Sequence, residues 1–505
     1  MITEADSNDD NYDSEFLAAA ERFVENLQDE THAEVVSIIA ARYAKREFVD
    51  HAIDLAETIS DPYTRDNTFA EIAAASIASG TSDYAGELLE MIDDPGVRSL
   101  AIEEMAVKYA ELGEHDRSID LLRELDDADP TLRRLALVDS TFSSRSVEFA
   151  SSISAPDLRA NTFSQLFTAA RRADRKSEAA ELLAESLRAA EEIEFSQDRI
   201  HTLVGIASQY AEIGETDRAS EILSRALELS QDVDGPPQWG QSASFPRGEA
   251  LTQIVGGFAR LGQFDQADVA AEQIEDPFQF ALASTKEAIE YFKAGQGGQA
   301  LTLLNEALEL VLGQRVYGEQ GMVLKDTALV ELAASFVIAG QLEKGLEVAE
   351  KLSSETRQNT ALEQVGKECA RAGDSNGVYK AAELITNDSA ATSYWLAINS
   401  VLKESEQTDL ARRTLLEAAQ SAELINDRYE KATSLIEVAY RFELTDNPGK
   451  ASELFTLALI TINEIEHDHK KALSLLRMDE RFKELNRTPS EEQQQLLDKF
   501  GVEPT

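Results

Sequence analysis

Residues 210–229 read Tyr-Ala-Glu-Ile-Gly-Glu-Thr-Asp-Arg-Ala-Ser-Glu-Ile-Leu-Ser-Arg-Ala-Leu-Glu-Leu, and this stretch decides the fold. Apolar residues before and after Gly214 recur at spacings of three and four, which is the period of an amphipathic helix. Glycine adopts a left-handed conformation without a Cβ penalty, so it suits the residue just past a helix C-terminus. The stretch therefore predicts two antiparallel helices joined by a tight turn at Gly214.

The same glycine recurs along the chain. The copies are Gly80, Gly113, Gly214, Gly262, Gly295, Gly340 and Gly373, which are separated by 33, 101, 48, 33, 45 and 33 residues. A spacing of 101 is about three units of 34 residues in which the middle copies lack the glycine. The other spacings fall into a short class and a long class, so the chain is expected to be an array of helical hairpins with short or long second helices.

A second recurring signal ends the short repeats. An acidic or small residue precedes proline in each copy, at Pro62, Pro95, Pro130, Pro156 and Pro277. The residue before proline leaves the helical region, aspartate caps the next helix, and proline fits its first turn. These positions therefore predict the start of each following first helix.

Residues 210–229 resemble a tetratricopeptide repeat, because the turn glycine and the two small residues Ala219 and Ala226 match that family's pattern. The tryptophan of the family's first helix is absent, and Leu203 stands near its place. The resemblance covers about residues 35–485. It implies an all-α solenoid, a superhelix of about twelve antiparallel helix hairpins in which each hairpin packs only on its neighbours.

The expected organisation has five parts. Residues 1–13 are a disordered acidic N-terminus, and 14–230 are N-terminal repeats. A loop rich in proline and glycine follows at 231–247, where no helix runs through Pro236 and Pro237. Residues 248–486 are C-terminal repeats, and 487–505 form a polar capping helix and tail.

The charge is strongly acidic: 94 Asp and Glu oppose 47 Lys and Arg, a formal net charge of −47. Because this charge is spread along the chain, it resembles that of a cytosolic protein from a salt-accumulating halophile, with an ordinary acidic cytosolic protein as the alternative. No basic stripe exists to bind phosphates, so nucleic acid and anionic membrane surfaces are not expected partners. The absence of a secretory signal favours a cytoplasmic location.

Patterns that carry chemistry are scarce in the sequence. No phosphate-binding loop and no paired-cysteine or zinc-protease motif is present, so no enzyme activity, metal or cofactor is expected. His467 and His469 form the one close histidine pair, and a spacing of two on a helix is poor for chelation. Cys369 lies in a helical pattern and is expected to be a buried core residue.

A basic residue near the start of most first helices is the main candidate binding feature. The candidate partner-binding residues are Arg65, Arg98, Arg133, Arg159, Arg199 and Arg247, together with Trp239 in the proline-rich loop. Each arginine could instead pair with an acidic residue of the preceding turn or second helix, as Arg65 could with Asp61. The sharper hypothesis is an arginine ladder that holds a partner's carboxylates in bidentate geometry. Trp239 could likewise anchor a partner or pack back on the solenoid.

The sequence thus predicts a non-catalytic scaffold or adaptor with a protein or peptide partner. The alternative is a regulatory module that senses a ligand or partner and acts on a separate output subunit. Neither the oligomeric state nor the face that binds follows from the sequence, although first helices are expected to form the concave face.

Overall fold

A computed structural model describes residues 14–138, 144–233, 245–316, 318–445 and 447–500 of the protein. These residues contain α-helices and two short 3₁₀ turns, and no strand is found among them. The chain divides into two compact units, which we name for their place in the sequence. The terminal unit comprises Met1–Ala128 with Thr386–Thr505, and the middle unit comprises Asp129–Ile385.

The terminal unit contains helices from both ends of the chain. They are α1 (Ser14–Glu21), α2 (Asp29–Ala44), α3 (Val49–Glu57), α4 (Pro62–Ala78), α5 (Asp83–Met91), α6 (Pro95–Glu111), α7 (His115–Leu122), α22 (Asp388–Glu404), α23 (Thr408–Leu424), α24 (Arg428–Glu443), α25 (Pro448–Asn463), α26 (Asp468–Glu484) and α27 (Glu491–Leu497).

The middle unit contains the other fourteen described helices. They are α8 (Asp129–Val138), α9 (Ser144–Ser152), α10 (Pro156–Arg172), α11 (Lys176–Glu191), α12 (Ser196–Glu212), α13 (Thr216–Leu229), α14 (Phe245–Arg260), α15 (Phe264–Ala271), α16 (Pro277–Lys293), α17 (Gly297–Gly313), α18 (Gly318–Ile338), α19 (Leu342–Ala349), α20 (Glu355–Arg371) and α21 (Ser375–Glu383).

The helices α2 to α25 pair in sequence order into twelve hairpins, which confirms the predicted solenoid. Each even-numbered helix is the first helix of a hairpin and each odd-numbered helix is the second. The second helices fall into the two predicted classes: α3, α5, α7, α9, α15, α19 and α21 have eight or nine residues, whereas α11, α13, α17, α23 and α25 have 14 to 17.

The predicted turn chemistry is also confirmed. All seven turn glycines have positive φ, between 72° and 87°. Asp174 takes the same left-handed conformation in the turn between α10 and α11, with φ of 57°, so a residue other than glycine serves one of the repeats that lack it. The carboxylate of Asp94 accepts hydrogen bonds from the backbone N–H groups of Gly96 and Val97, which caps α6.

Successive first helices pack directly on one another within each unit, whereas successive second helices make few direct contacts. The first helices therefore form a continuous layer in each unit. The expectation that this layer is concave stays a prediction.

One expectation is wrong: the repeats do not pack only on their neighbours along the chain. In the terminal unit, α1 and α2 pack against α26, and α27 contacts both α25 and α1. The ring of Phe482 lies between those of Phe16 and Phe455, at centroid distances of 4.8 and 4.7 Å. The apolar faces of the first and last helices thus cover each other, and α27 is not simply a polar cap, since Leu497 is buried.

Two arginines and one aspartate reinforce this contact between the chain ends. Asp479 on α26 is 2% exposed and accepts hydrogen bonds from Arg42 Nη1 at 2.7 Å and from Arg46 Nη2 at 2.9 Å. Arg42 also donates to the carbonyl oxygen of Leu476. We call these three charged side chains the terminal clasp, because they join segments more than 430 residues apart in the sequence.

Three sequence predictions lie partly or wholly outside the described residues. They concern the N-terminus at 1–13, most of the loop at 231–247, and the role of Trp239. The predicted loop belongs to the middle unit, and the proposed division of the repeats at that loop stays a prediction. No helix in the described part of the chain is both long and apolar enough to cross a membrane.

Candidate functional site

Three of the six candidate arginines cap the second helix of the preceding repeat. Arg159 Nη1 donates to the carbonyl oxygen of Ile153 at 2.7 Å, Arg199 Nε donates to that of Ile193 at 2.6 Å, and Arg98 donates to that of Leu89. These carbonyls lie at or just past a helix C-terminus, where they lack intrahelical partners and carry the negative end of the helix dipole. A cation at the start of one helix thus stabilises the end of the helix before it.

Arg159 also forms an ion pair with Glu192 at the end of the next second helix, at 2.5 Å. The expected pair between Asp61 and Arg65 is not formed among the described residues, because the Asp61 carboxylate instead accepts from the backbone N–H of Thr64 at 2.8 Å. The side chains of Arg65, Arg133 and Arg247 are half-buried. Whether any of these arginines also contacts a partner stays a prediction.

Two aspartates that the sequence pattern did not single out also bind the inter-repeat turns. Their carboxylates accept hydrogen bonds from backbone N–H groups, whereas the arginines donate to backbone carbonyls. Asp66, which is buried, accepts from the backbone N–H groups of Asp93 and Asp94 at 3.0 and 2.8 Å. Asp129 makes the corresponding bonds to Ser154 and Ala155 at 2.8 and 2.7 Å. The acidic residue directly after a basic one was the available signal for Asp66, in Arg65-Asp66, whereas Asp129 follows Ala128 and has no such signal.

These bonds supply partners for backbone donors and acceptors of the partly exposed turns between repeats, where each hydrogen bond contributes about 0.5–1.5 kcal/mol. The basic and acidic residues at the repeat boundaries therefore have a structural duty of their own. A candidate binding surface must be sought elsewhere on the first-helix layer.

A cleft opens on that layer of the middle unit, between the N-terminal halves of α12 and α14. It has a volume of about 210 Å³ and is lined by Gln197, Asp198, His201, Glu249, Ala250 and Gln253. The imidazole Nδ1 of His201 lies 2.9 Å from Gln253 Oε1, which joins the two helices across the cleft floor. We call this feature the acidic cleft, because Asp198 and Glu249 give it two carboxylates and none of its lining residues is a lysine or arginine.

The acidic cleft exists because of the repeat. Asp198 lies in the first turn of α12, next to Arg199, and Glu249 lies one turn into α14, two residues after Arg247. Neighbouring first helices place such positions side by side. The arginines of this register form a visible pattern in the sequence, whereas the exposed acidic residues near them do not stand out in so acidic a chain.

A second cleft, in the terminal unit, includes the histidine pair. It has a volume of about 520 Å³ and lies between residues 26–31 and residues 466–469. His467 is exposed, and His469 Nε2 lies 3.7 Å from a carboxylate oxygen of Glu34. No group of three or more residues able to hold a metal ion occurs within the described ranges.

Two buried titratable groups are not presented to a substrate. Cys369 is buried as predicted, and burial raises the pKa of its thiol to about 12, which keeps it a thiol at neutral pH. Glu287 on α16 is 1% exposed, and burial followed by the nearby Asp268 carboxyl raises the pKa of its carboxyl to about 7. This pair affects stability rather than offering an accessible acid or base.

Comparisons with known proteins give matches to solved structures alone, at low sequence identity and low TM-score. No protein-family model matches the chain, and no curated protein matches it. Among solved structures, Ton1535 from Thermococcus onnurineus NA1 is 15% identical, with a TM-score of 0.24, over 71% of this chain and 97% of that one.

Two further solved structures are similar over most of their length. The human IFIT1 dimer with PPP-AAAA is 13% identical, with a TM-score of 0.29, over 87% of this chain and 99% of that one. The Cut9–Hcn1 hetero-tetramer of the APC/C is 12% identical, with a TM-score of 0.22, over 88% and 96%. At these TM-scores the assignment of the fold depends on this chain's own twelve hairpins.

Proposed function

We propose that this protein is a non-catalytic scaffold that binds a protein or peptide partner on the first-helix layer of its middle unit. The acidic cleft between α12 and α14 is the observation that carries this proposal. Curved helical-repeat stacks offer extended concave surfaces of this kind, and side chains from consecutive repeats meet a bound segment there.

The size and charge of the cleft favour a basic segment of the partner. A volume of about 210 Å³ is below the roughly 300–1,000 Å³ of pockets for drug-sized ligands, so it suits one side chain. Asp198 and Glu249 can accept hydrogen bonds from the ammonium of a lysine or the guanidinium of an arginine. The net charge of −47 also attracts a basic partner from a distance, and salt weakens that attraction.

The test compares a cleft variant with a charge-matched control. The cleft variant carries Asp198→Asn and Glu249→Gln. The control carries Glu181→Gln and Glu221→Gln, which remove the same charge from exposed positions on the second helices α11 and α13. Tagged full-length chains capture partners from an extract of the source organism in molar potassium chloride, and mass spectrometry identifies them.

We expect a stoichiometric protein partner with the unmodified chain and the control, and an affinity at least tenfold lower with the cleft variant. Absence of any stoichiometric partner would overturn the scaffold proposal. Equal capture of the partner by both variants would show that it binds elsewhere on the chain. The acidic cleft would then no longer be part of the scaffold proposal.

A second candidate uses the same cleft: a regulatory module that senses a small cationic ligand and acts on a separate output subunit. Polyamines and basic amino acids have the chemistry that the cleft carboxylates would bind. A rise in the melting temperature with such compounds, lost in the cleft variant, would favour this function, since a pure scaffold should show none.

We also propose that the chain works in the cytoplasm of a cell that accumulates salt. A dispersed charge of −47 repels itself, and the repulsion is screened over about 3 Å in molar salt but over about 10 Å at 0.1 M. The midpoint of urea unfolding should therefore rise between 0.1 and 2 M potassium chloride. An unchanged midpoint would contradict the adaptation to high salt.

A further inference from the structure

Two cations on the first-helix layer of the middle unit lie close together without an acidic partner. Arg260 ends α14, and Lys286 lies on the neighbouring α16. The aliphatic part of the Lys286 side chain contacts α14 at Gly256. A Cβ atom added at Gly256 would lie 3.0 Å from Cδ of Lys286. Gly256 precedes Arg260 by four residues, so both lie on the same face of α14, and the bare backbone leaves room for the lysine.

The guanidinium of Arg260 is fixed in position by the helix on its other side. Its Nη1 donates to Oγ of Ser208 on α12 at 2.8 Å. The three side chains thus come from three consecutive first helices. The Ser208 hydroxyl donates to the carbonyl oxygen of Val204 at 3.1 Å and accepts from Arg260, so the free donors belong to the two cations. Both Arg260 and Lys286 are exposed to solvent there.

This arrangement is unusual in so acidic a chain. Among the described residues, Lys286 has no hydrogen bond or ion pair, and Arg260 has no carboxylate within 4 Å. By contrast, Arg441 donates to Ser400 across two first helices in the same manner, at 2.8 Å, and also pairs at 3.1 Å with Glu437, four residues earlier. The residue four positions before Arg260 is Gly256, so Arg260 has no carboxylate in the position that Glu437 occupies relative to Arg441.

Bringing two cations together without a counter-ion costs free energy, which an anion between them would recover. The crowding of Lys286 by its neighbours removes hydration and lowers the pKa of its ammonium. Arg260 lowers that pKa further, while the carboxylate of Glu331 on α18 opposes the shift without approaching within ion-pair distance. The electrostatics of these two cations therefore agree with their geometry.

We propose that Arg260, Lys286 and Ser208 form a binding site for a single oxyanionic group, a carboxylate or a phosphate. The guanidinium offers its remaining N–H donors and the ammonium offers a point charge, while the hydroxyl of Ser208 holds the guanidinium in position. A long polyanion is excluded by the acidic surface around the site, so the ligand is one group on a small molecule or peptide. The site does not depend on the acidic cleft or on a protein partner.

The test measures how fast Lys286 reacts with an amine-acetylating reagent in the native, full-length chain, with and without added anions. Mass spectrometry of peptides reads the rate at each lysine. A bound anion stabilises the protonated ammonium, which is unreactive, so sodium acetate or inorganic phosphate should slow Lys286 at least threefold in a saturable manner. Sodium chloride at the same ionic strength supplies the reference.

Lys293 is the internal control, because it lies on the same helix and already pairs with Glu290 at 2.8 Å. Protection by acetate alone would identify a carboxylate ligand, and protection by phosphate alone would identify a phosphate. Arg260→Gln should abolish the protection without changing the rate at Lys293. An unchanged Lys286 rate with both anions, equal slowing of both lysines, or full protection in Arg260→Gln would each overturn the site.

Discussion

The terminal clasp gives the sharpest prediction about stability. Asp479→Asn keeps the shape of the side chain but removes its charge, which leaves Arg42 and Arg46 without this buried counter-ion. The side chains of these arginines are only 17% and 9% exposed, so water replaces the lost partner poorly. Breaking a buried ion pair by removing one partner costs about 3–5 kcal/mol. We expect a loss of that size from the free energy of unfolding of the terminal unit.

Glu480→Gln is the matched control. Glu480 is the next residue and also approaches Arg42, at 3.7 Å, but its side chain is 56% exposed. Exposed ion pairs contribute about 0–1 kcal/mol, so this variant should be nearly neutral.

The measurement is urea unfolding at constant potassium chloride, followed by circular dichroism. Two compact units can unfold in separate transitions, so each transition is fitted by itself. In Asp479→Asn, only the unfolding transition of the terminal unit should shift. If Asp479→Asn and Glu480→Gln change the unfolding free energy by the same amount, the clasp does not stabilise the contact between the chain ends.

Three other predictions concern single side chains. The pKa of the Glu287 carboxyl is raised to about 7 in the folded chain, from about 4.5 in the unfolded chain. The stability contributed by the protonated carboxyl is therefore complete below pH 4.5 and is lost as the pH rises through 7. Glu287→Gln should therefore become more stable than the parent by up to about 3 kcal/mol between pH 4.5 and 8, measured by urea unfolding; parallel pH profiles would contradict this. Glu406→Gly should stabilise the chain by about 0.5–1 kcal/mol, because Glu406 has a φ of 58°. Ala397→Gly, in the interior of α22, should instead destabilise it, and thermal unfolding at fixed salt distinguishes the two signs. Arg199→Gln should cost about 1–2 kcal/mol by uncapping the helix before it, while partner capture is retained; lost capture with unchanged stability would instead support the arginine ladder.

Much of the architecture could be predicted because its causes are local. Helix period, turn glycines and Asp-Pro starts act over a few residues, so the sequence alone indicates twelve hairpins and two lengths of second helix. The buried state of Cys369 followed from the same pattern. Asp174 and Glu406 adopt left-handed turns without glycine because the hairpin around them compensates for the strain, and no local signal shows this.

The candidate sites depend on distances that the sequence does not contain. The repeated arginines were visible as a pattern, but only the packed structure shows that Arg199 binds the carbonyl of Ile193. The acidic cleft and the pair of Arg260 and Lys286 arise where neighbouring helices place residues 52 and 26 positions apart side by side, as at His201 with Gln253.

The sequence by itself determined the local structure of this protein: helices, turns and an acidic surface follow from propensity, periodicity and charge. The tertiary structure alone decided what the chain ends do. Nothing near Arg42 or Asp479 in the sequence indicates that they meet. Helix period and turn signals act over a few residues, whereas this contact joins side chains more than 430 residues apart.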